Sequence, residues 1–419
     1  MKNWKFYLML LTVASLSFLL NLLLSAHFQG LSSPPKSEAN PDQVEYELFA
    51  YQLSNGRGYT WPSGEITACR PPGTSFTLLP VYSLFGRSFA IGRIWFCFLA
   101  ALTCLATGWL TWQISGPAAA TAATACLACY PGHFYYSMHF LSEIPFGLWL
   151  VLACVFTLKS TRSLKPLHSL VAGGFWGLSV LTRPQIILVF PITLIYLAAS
   201  RNHLRTRNMK LFALQLLWAA LVITPWVARN ATAIGKPALC TIVGGYTFWG
   251  AHNDIVVNNP QLCGLWIPAS RLVDPAHPLL GGEIEREAAA WRYGREFITA
   301  HPRDLPRLFA MKLVRVFSPF SETSNKVVRL CFAIGWLLTA PLLAIGILIV
   351  KRKDPGATII LAMPCLATIV TALIFYGSDR FRDGVSPVWM VFVGVAVAEL
   401  SGRWLGTASK SYGGSMTSA

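Results

Sequence analysis

Charge is scarce in this sequence. Only 12% of its 419 residues are Asp, Glu, Lys or Arg, where a soluble domain carries roughly 25%. With 54% of residues hydrophobic and a mean hydropathy of +0.50, no water-soluble core could absorb the apolar surface. A polytopic membrane protein remains. Acids are scarcer than bases, 18 against 34. In a soluble protein the net charge of +16 would suggest nucleic acid. Here the cations gather in short loops between apolar runs and read as topology signals, so no nucleic-acid partner is expected. A glycine-rich phosphate loop is lacking, which removes any requirement for a nucleotide. A repeat of fixed period, common in transporters, is lacking too. Of the ten cysteines, seven lie in apolar runs, where Cys behaves as a small hydrophobe. Cys126 and Cys129 have redox spacing but sit in such a run. Cys69, Cys240 and Cys263 are the loop cysteines, and a Cys240–Cys263 disulfide is left open.

Apolar runs mark a first span at about Tyr7 to His27, uncleaved and with the N-terminus inside. Further spans are expected at 89–112, 117–134, 144–160, 167–182, 184–200, 211–227, 329–350, 357–376 and 385–402. The total of ten puts both termini in the cytoplasm. Lys2 and Lys5, Lys159 to Lys165, Arg201 to Lys210, Lys351 to Lys353, and Arg403 with Lys410 then all fall inside. Two large loops, 28–88 and 228–328, lie outside. The short turns Tyr130 to Glu143, Arg183, and Tyr376 to Pro387 face the same way. The later loop contains amphipathic helices at Gly282 to Ala300 and Pro302 to Phe317, expected to lie along the membrane surface. The fold class is thus all-α, with a transmembrane domain over 1–402 and a disordered cytoplasmic tail over 403–419.

The stretch 41–86 concentrates the chemistry. Asp42, Glu45 and Glu47 fall within six residues, just before a helical-looking Tyr46 to Leu53 and an Asn55-Gly-Arg-Gly58 turn. Cys69-Arg70-Pro-Pro-Gly73 then fixes a cation on a stiff turn. Asp42, near Tyr46 and Tyr51, has the setting of a partly desolvated general base. It could equally be a helix cap or a solvated juxtamembrane acid. Glu143, in His139-Phe-Leu-Ser-Glu-Ile-Pro145 beside Tyr135 and Tyr136, sits where an acid is costly and tends to serve function. A cap formed with Ser142 is the alternative. His133 and His139 are interfacial, and no metal site is expected from them. Arg70, Arg183, Arg229, Arg380 and Arg382 stand at outer mouths of spans, where topology does not call for cations. Guanidinium forks converging there would suit an anionic head group whose tail stays in lipid; snorkelling to lipid phosphate is the alternative. Asn230-Ala-Thr232 matches a glycosylation acceptor.

Taken in order, these motifs resemble the C-type (GT-C) membrane glycosyltransferases, specifically glycosyltransferase family 39 and the bacterial aminoarabinose lipid A transferases. The resemblance rests on Asp42-x-x-x-Tyr46 with Leu53 to Tyr59, then Arg70 to Gly73 with Tyr82 to Gly86. It continues through Tyr130-Pro131, Tyr135-Tyr136, Leu141-Ser-Glu143, Leu181 to Pro184, Pro225-Trp226 to Asn230, and Asp379 to Arg382. It implies a hexosyl or pentosyl transferase working at the extracytoplasmic face, in a bacterial inner membrane, on a polyprenyl-phosphate sugar. By resemblance Asp42 is the catalytic base and Glu143 the second acid. Glu45, Tyr46, Arg70, Tyr136, Arg183, Arg229, Arg380 and Arg382 line the substrate site. Inversion would release polyprenyl phosphate, with or without a divalent cation such as Mg or Mn. Two departures stand out. Gln43 follows Asp42 where the protein mannosyltransferases often show Asp-Glu, and the appended C-terminal domain of the aminoarabinose enzymes is not seen. A lipid-linked glycan polymerase or ligase is the rival within enzymes, and a lipid-linked sugar flippase the rival outside them.

Overall fold

A computed structural model describes residues 3–37, 40–199, 205–323 and 325–413. The described residues are helical, with a single isolated bridge from Thr60 to Ile66. Helix α1 (Asn3–Phe28) leads to α2 (Pro41–Ser54) and α3 (Gly73–Phe85). Next come α4 (Phe89–Ala128), α5 (Pro131–Ser137), α6 (Glu143–Ser163), α7 (Pro166–Thr182) and α8 (Val189–Ala199), the last entered through a 3-10 turn at Pro184–Leu188. They are followed by α9 (Arg205–Ala233), α10 (Gly244–Ala251), α11 (Asp254–Asn258), α12 (Glu283–Ala300) and α13 (Leu305–Phe317). The chain closes with α14 (Lys326–Lys353), α15 (Pro355–Ile374), α16 (Asp379–Gly384) and α17 (Ser386–Gly413).

Prolines punctuate this order. Pro41, Pro131, Pro166 and Pro355 each stand at the first position of a helix, where the missing N–H is an orphan anyway. Asp354 ends α14 and accepts from Ala357 N at 2.9 Å to start α15. Inside α4 the backbone breaks at Gly116 (φ 82°, ψ −171°) just before Pro117. Only glycine takes that conformation without strain, so this apolar stretch is two helices, as the separate expected spans at 89–112 and 117–134 required.

Among the described residues, six helices are long and apolar enough to cross a membrane: Phe6–Phe28, Phe89–Ala128, Glu143–Ser163, Thr206–Ala233, Lys326–Lys353 and Pro355–Ile374. The protein is therefore an integral membrane protein. The other expected spans coincide with shorter pieces. One is the second limb of α4; the others are α7, Pro184–Ala199 and Ser386–Gly402. Helix α17 continues to Gly413, into the 403–419 tail that was expected to be disordered. Residues 414–419, and Lys2 and Arg201 of the charge pattern, lie outside the described residues.

One large core joins α4, α6, α7, α14, α15 and α17 around buried Phe96, Leu150, Val180, Met390 and Val391. Small residues let the helices close up. A Cβ on Gly394 of α17 would come 2.5 Å from Ala123 of α4, the close approach that membrane helix packing favours. The segment 228–328 has a smaller core of its own, built on Trp249, Val256, Ile267, Tyr293 and Leu308. The two long loops are bonded to each other. Ile242 N donates to Ala68 O (3.1 Å), and the Thr67 hydroxyl donates to Glu283 (2.9 Å). Gly377 N reaches Gly264 O (2.7 Å) and Asn40 reaches the Tyr135 hydroxyl (3.0 Å), so the two long loops and the short segments around Tyr135 and Gly377 gather at one end of the bundle.

Candidate active site

Helix α2 presents Asp42, Glu45 and Tyr46 on one side, as spacings of three and four dictate. Asn40 rather than Asp42 occupies the N-cap position, so Asp42 does not cap the helix. Behind it, Glu47 is buried and accepts from Nε and Nη2 of Arg87, at 2.9 and 2.8 Å. Arg70 is aimed by the turn that starts α3. A Cβ on Gly73 would meet Thr182 Cα at 2.7 Å, so the start of α3 is pressed against the end of α7, next to Arg183. Arg183 itself is extended (φ −139°, ψ 96°), because Pro184 disfavours helix before it. Arg380 is set by the short α16, whose Ser378 cap accepts its N–H at 3.3 Å.

These residues form an alternating chain of acids and guanidinium groups. Arg70 is bonded to Glu45 and, at 3.0 Å, to Asp42 Oδ1. The other oxygen of Asp42 takes Arg380 Nη1 at 3.3 Å. Arg380 Nε donates to Glu143 Oε1 at 2.8 Å, and Arg183 Nη2 lies 3.5 Å from the same oxygen. Three carboxylates thus meet three arginines. Burial differs along the chain: the Asp42 side chain is 22% exposed, and that of Glu143 is 2% exposed. Burial pushes the Asp42 carboxyl up, but Arg70 and Arg380 outweigh it and hold it below the usual carboxylate value. Tyr46, buried and beside the Asp42 charge, has its phenol pushed up to about 12. Tyr136 is buried as well and lines, with Glu143, His133, Thr103, Asp383 and Ser386, a cavity of about 10 Å³. That volume matches a single water molecule. A larger cavity of about 170 Å³, between Thr161, Trp176, Phe190, Asn208, Gln215 and Met363, lies toward the far half of α6 and shares no residue with the ionic chain.

Two of the expected arginines are engaged elsewhere. Arg229 donates to Thr67 O (2.8 Å) and Tyr59 O (2.9 Å) and lies over the Trp226 ring, bracing the first loop. Arg382 is buried with Asp383 (2.9 Å) and Ser318 O (2.7 Å), over Trp336. Asn230 is fully buried and donates to Ala238 O, so the glycosylation match is not an accessible acceptor. Cys240 and Cys263 are both free and buried. His133 and His139 turn a ring nitrogen to Ala100 O and Tyr135 O. Glu322, absent from the sequence-based set, stands in the loop after α13. Crowding by protein, then the Asp379 charge, pushes its carboxyl up to about 7, although the residue keeps solvent contact.

Residues 69–228 match the family described as dolichyl-phosphate-mannose-protein mannosyltransferase. Among solved structures, AglB, the archaeal oligosaccharyltransferase from Archaeoglobus fulgidus in complex with an inhibitory peptide and a dolichol-phosphate, is similar. Its TM-score is 0.52 at 14% identity, over 97% of this chain and 52% of that one. The Archaeoglobus fulgidus oligosaccharyltransferase in complex with Zn and sulfate gives 0.51 at 15% identity, over 93% and 49%. ArnT from Cupriavidus metallidurans bound to undecaprenyl phosphate gives 0.45 at 11% identity, over 94% and 78%. The chain spans about half the length of the oligosaccharyltransferase. No curated protein matches it. The chain is thus a membrane protein of GT-C fold, whose residues 69–228 match the family described as dolichyl-phosphate-mannose-protein mannosyltransferase.

Proposed function

We propose that the protein transfers a sugar from a polyprenyl-phosphate carrier to an extracytoplasmic glycan, lipid or protein acceptor, with inversion and with Asp42 as base. The observation that carries this is the position of Asp42: partly exposed, between Arg70 and Arg380, at the end of the bundle where the two long loops meet. In support, the matching family is described by a dolichyl-phosphate sugar donor, and AglB, of similar fold, has been solved with a dolichol-phosphate. Asp42 takes the proton of the acceptor hydroxyl as that oxygen bonds to the anomeric carbon. The carbon–phosphate oxygen bond breaks on the opposite face, and polyprenyl phosphate leaves with the electron pair. Arg70, Arg183 and Arg380 stabilise the charge on the leaving phosphate. In the resting protein Arg70 and Arg380 suppress the proton affinity of Asp42. A phosphate that draws them away raises it, so donor binding readies the base.

The same proposal threads ten spans, counting both limbs of α4 with α7, α8 and α17. Both termini are then cytoplasmic, 28–88 and 228–328 lie outside, and the chain sits in a bacterial inner membrane. The test uses purified protein, polyprenyl-phosphate sugars and a mixed acceptor extract. Wild type releases polyprenyl phosphate and Asp42→Asn does not. Equal release from both removes Asp42 as the base, and no release from either removes the transferase.

A further inference from the structure

Three acids close together at a membrane surface invite a divalent cation, and the oligosaccharyltransferase of similar fold has been solved with Zn. The donor atoms here do not fit one. Both oxygens of Asp42 already face guanidinium groups, Oδ1 toward Arg70 and Oδ2 toward Arg380. Glu143 Oε1 faces Arg380 and Arg183. Glu45 is taken by Arg70. Glu143 Oε2 is buried without a hydrogen-bond partner, as are Asp379 Oδ2 and Asp383 Oδ2 of α16, but Asp42 contributes no such oxygen to the several that a divalent ion takes. Among the described residues no group of three or more His, Cys, Asp or Glu is arranged to hold a metal. Charge agrees with the geometry. Asp42, Glu45 and Glu143 are matched by Arg70, Arg183 and Arg380, so a divalent ion joining Asp42 to Glu143 would have to displace the Arg380 guanidinium or be repelled by it.

We infer that the Arg380 guanidinium occupies the place of a bridging cation, joining Asp42 to Glu143, and that the site works without a divalent metal. A planar fork suits this task. Nε points at one carboxylate and Nη1 at the other, 2.8 and 3.3 Å away, a bridge that a lysine ammonium does not reproduce with the same geometry. The arrangement also keeps Arg380 next to the base, where the leaving phosphate of the proposed reaction would need a cation. The activity arms of the test rest on that reaction; the metal-binding arm does not.

Chelator-treated wild-type protein is titrated with Mn ion, and bound Mn is followed by electron paramagnetic resonance. No stoichiometric binding is expected. Binding that disappears in Asp42→Asn overturns the inference even if no transfer is ever found. Transfer by wild type is expected to change less than about twofold between chelator and added Mg or Mn. A tenfold loss restored by metal overturns it. Arg380→Ala is expected to lose about 100-fold in transfer and to regain part of it when guanidinium or methylguanidinium is supplied in the buffer. Arg380→Lys, which keeps the charge and protects the fold, is expected to lose about tenfold. A folded Arg380→Lys with wild-type transfer shows that charge alone suffices and sinks the bridging role.

Discussion

Arg380 and Glu143 stand 237 residues apart in the chain, yet Nε of one donates to Oε1 of the other at 2.8 Å. This bond pins the short α16 to the start of α6 and completes the line of charges that reaches Asp42. Its members differ in how they are held. Glu143 is buried and shared by two arginines, whereas Asp42 keeps solvent contact.

That difference separates two substitutions. Glu143→Gln leaves the buried Arg183 without its anion, and breaking such a pair costs about 3–5 kcal/mol. Asp42→Asn sits at a partly exposed position and should cost less, about 1–3 kcal/mol. Transfer should fall in both, by about 10²–10⁴-fold for Asp42→Asn, the range of a lost general base. Thermal melting in detergent, read beside polyprenyl-phosphate release, checks this. Equal melting losses would mean that both acids are structural.

The pH profile of kcat/KM follows from the carboxyl shifts. Burial raises the Asp42 carboxyl, but Arg70 and Arg380 hold it below its ordinary 3.8. The ionised form is the base, so the rate is lost only as pH falls through a value below 3.8. A flat acid side is therefore expected down to about pH 5. Glu322, pushed up to about 7, would give a very different curve, falling tenfold for each pH unit below 7. A fall of that kind, abolished by Glu322→Gln, would move the base from Asp42 to Glu322.

The helices and their breaks were legible because they depend on neighbours in sequence. Thr182-Arg183-Pro184 breaks as expected, since proline acts on the residue before it. The amphipathic pair is observed at Glu283–Ala300 and Leu305–Phe317. The arginines were only partly legible. Arg229 and Arg380 occupy similar places in the sequence, and what diverts Arg229 is a pair of carbonyls, Tyr59 and Thr67, far along the chain. Arg382 carried a usable signal. On a helix, residues two apart point to opposite sides, so Arg380 and Arg382 of α16 could not both face one ligand. Lys312 carried one too, standing between Leu308 and Val316 on the buried stripe of α13.

Two glycines gate the arginines, and alanine should distinguish their roles. At Gly73 the obstacle is the backbone of Thr182, which cannot move cheaply. Gly73→Ala should cost about 1–3 kcal/mol and transfer with it. At Gly384 a Cβ would come 2.4 Å from Arg183 Nη1, the tip of a flexible side chain. Gly384→Ala should lower melting less than Gly73→Ala, because Arg183 keeps room to re-pair, and should reduce transfer about tenfold by turning Arg183 off its present contact with Glu143. Unchanged transfer in a normally folded Gly384→Ala would show that Arg183 plays no part in the reaction.

Lys312 gives a prediction about stability rather than chemistry. It is fully buried, and its Nζ donates to His252 Nε2 and Leu373 O, both at 2.9 Å, tying the 228–328 segment to the end of α15. Burial lowers its ammonium from an ordinary 10.5 to about 7. Between those values the unfolded chain holds a proton that the folded chain has released. Stability therefore rises with pH from about 7 to 10.5 and is lowest below 7, with a slope of up to about 1.4 kcal/mol per unit. His252, pushed down to about 3 by burial and by the Lys312 charge, stays neutral throughout this window in the folded protein. The unfolded imidazole, at an ordinary 6.5, is also neutral over most of it, so His252 adds little to the slope. Melting temperatures from pH 7 to about 8.5, below the range where thiols and phenols of the unfolded chain ionise, should climb for wild type, and the climb should vanish in Lys312→Met. A wild-type curve that stays flat would mean that Lys312 keeps its proton, and that the tie is a charged one at every pH tested.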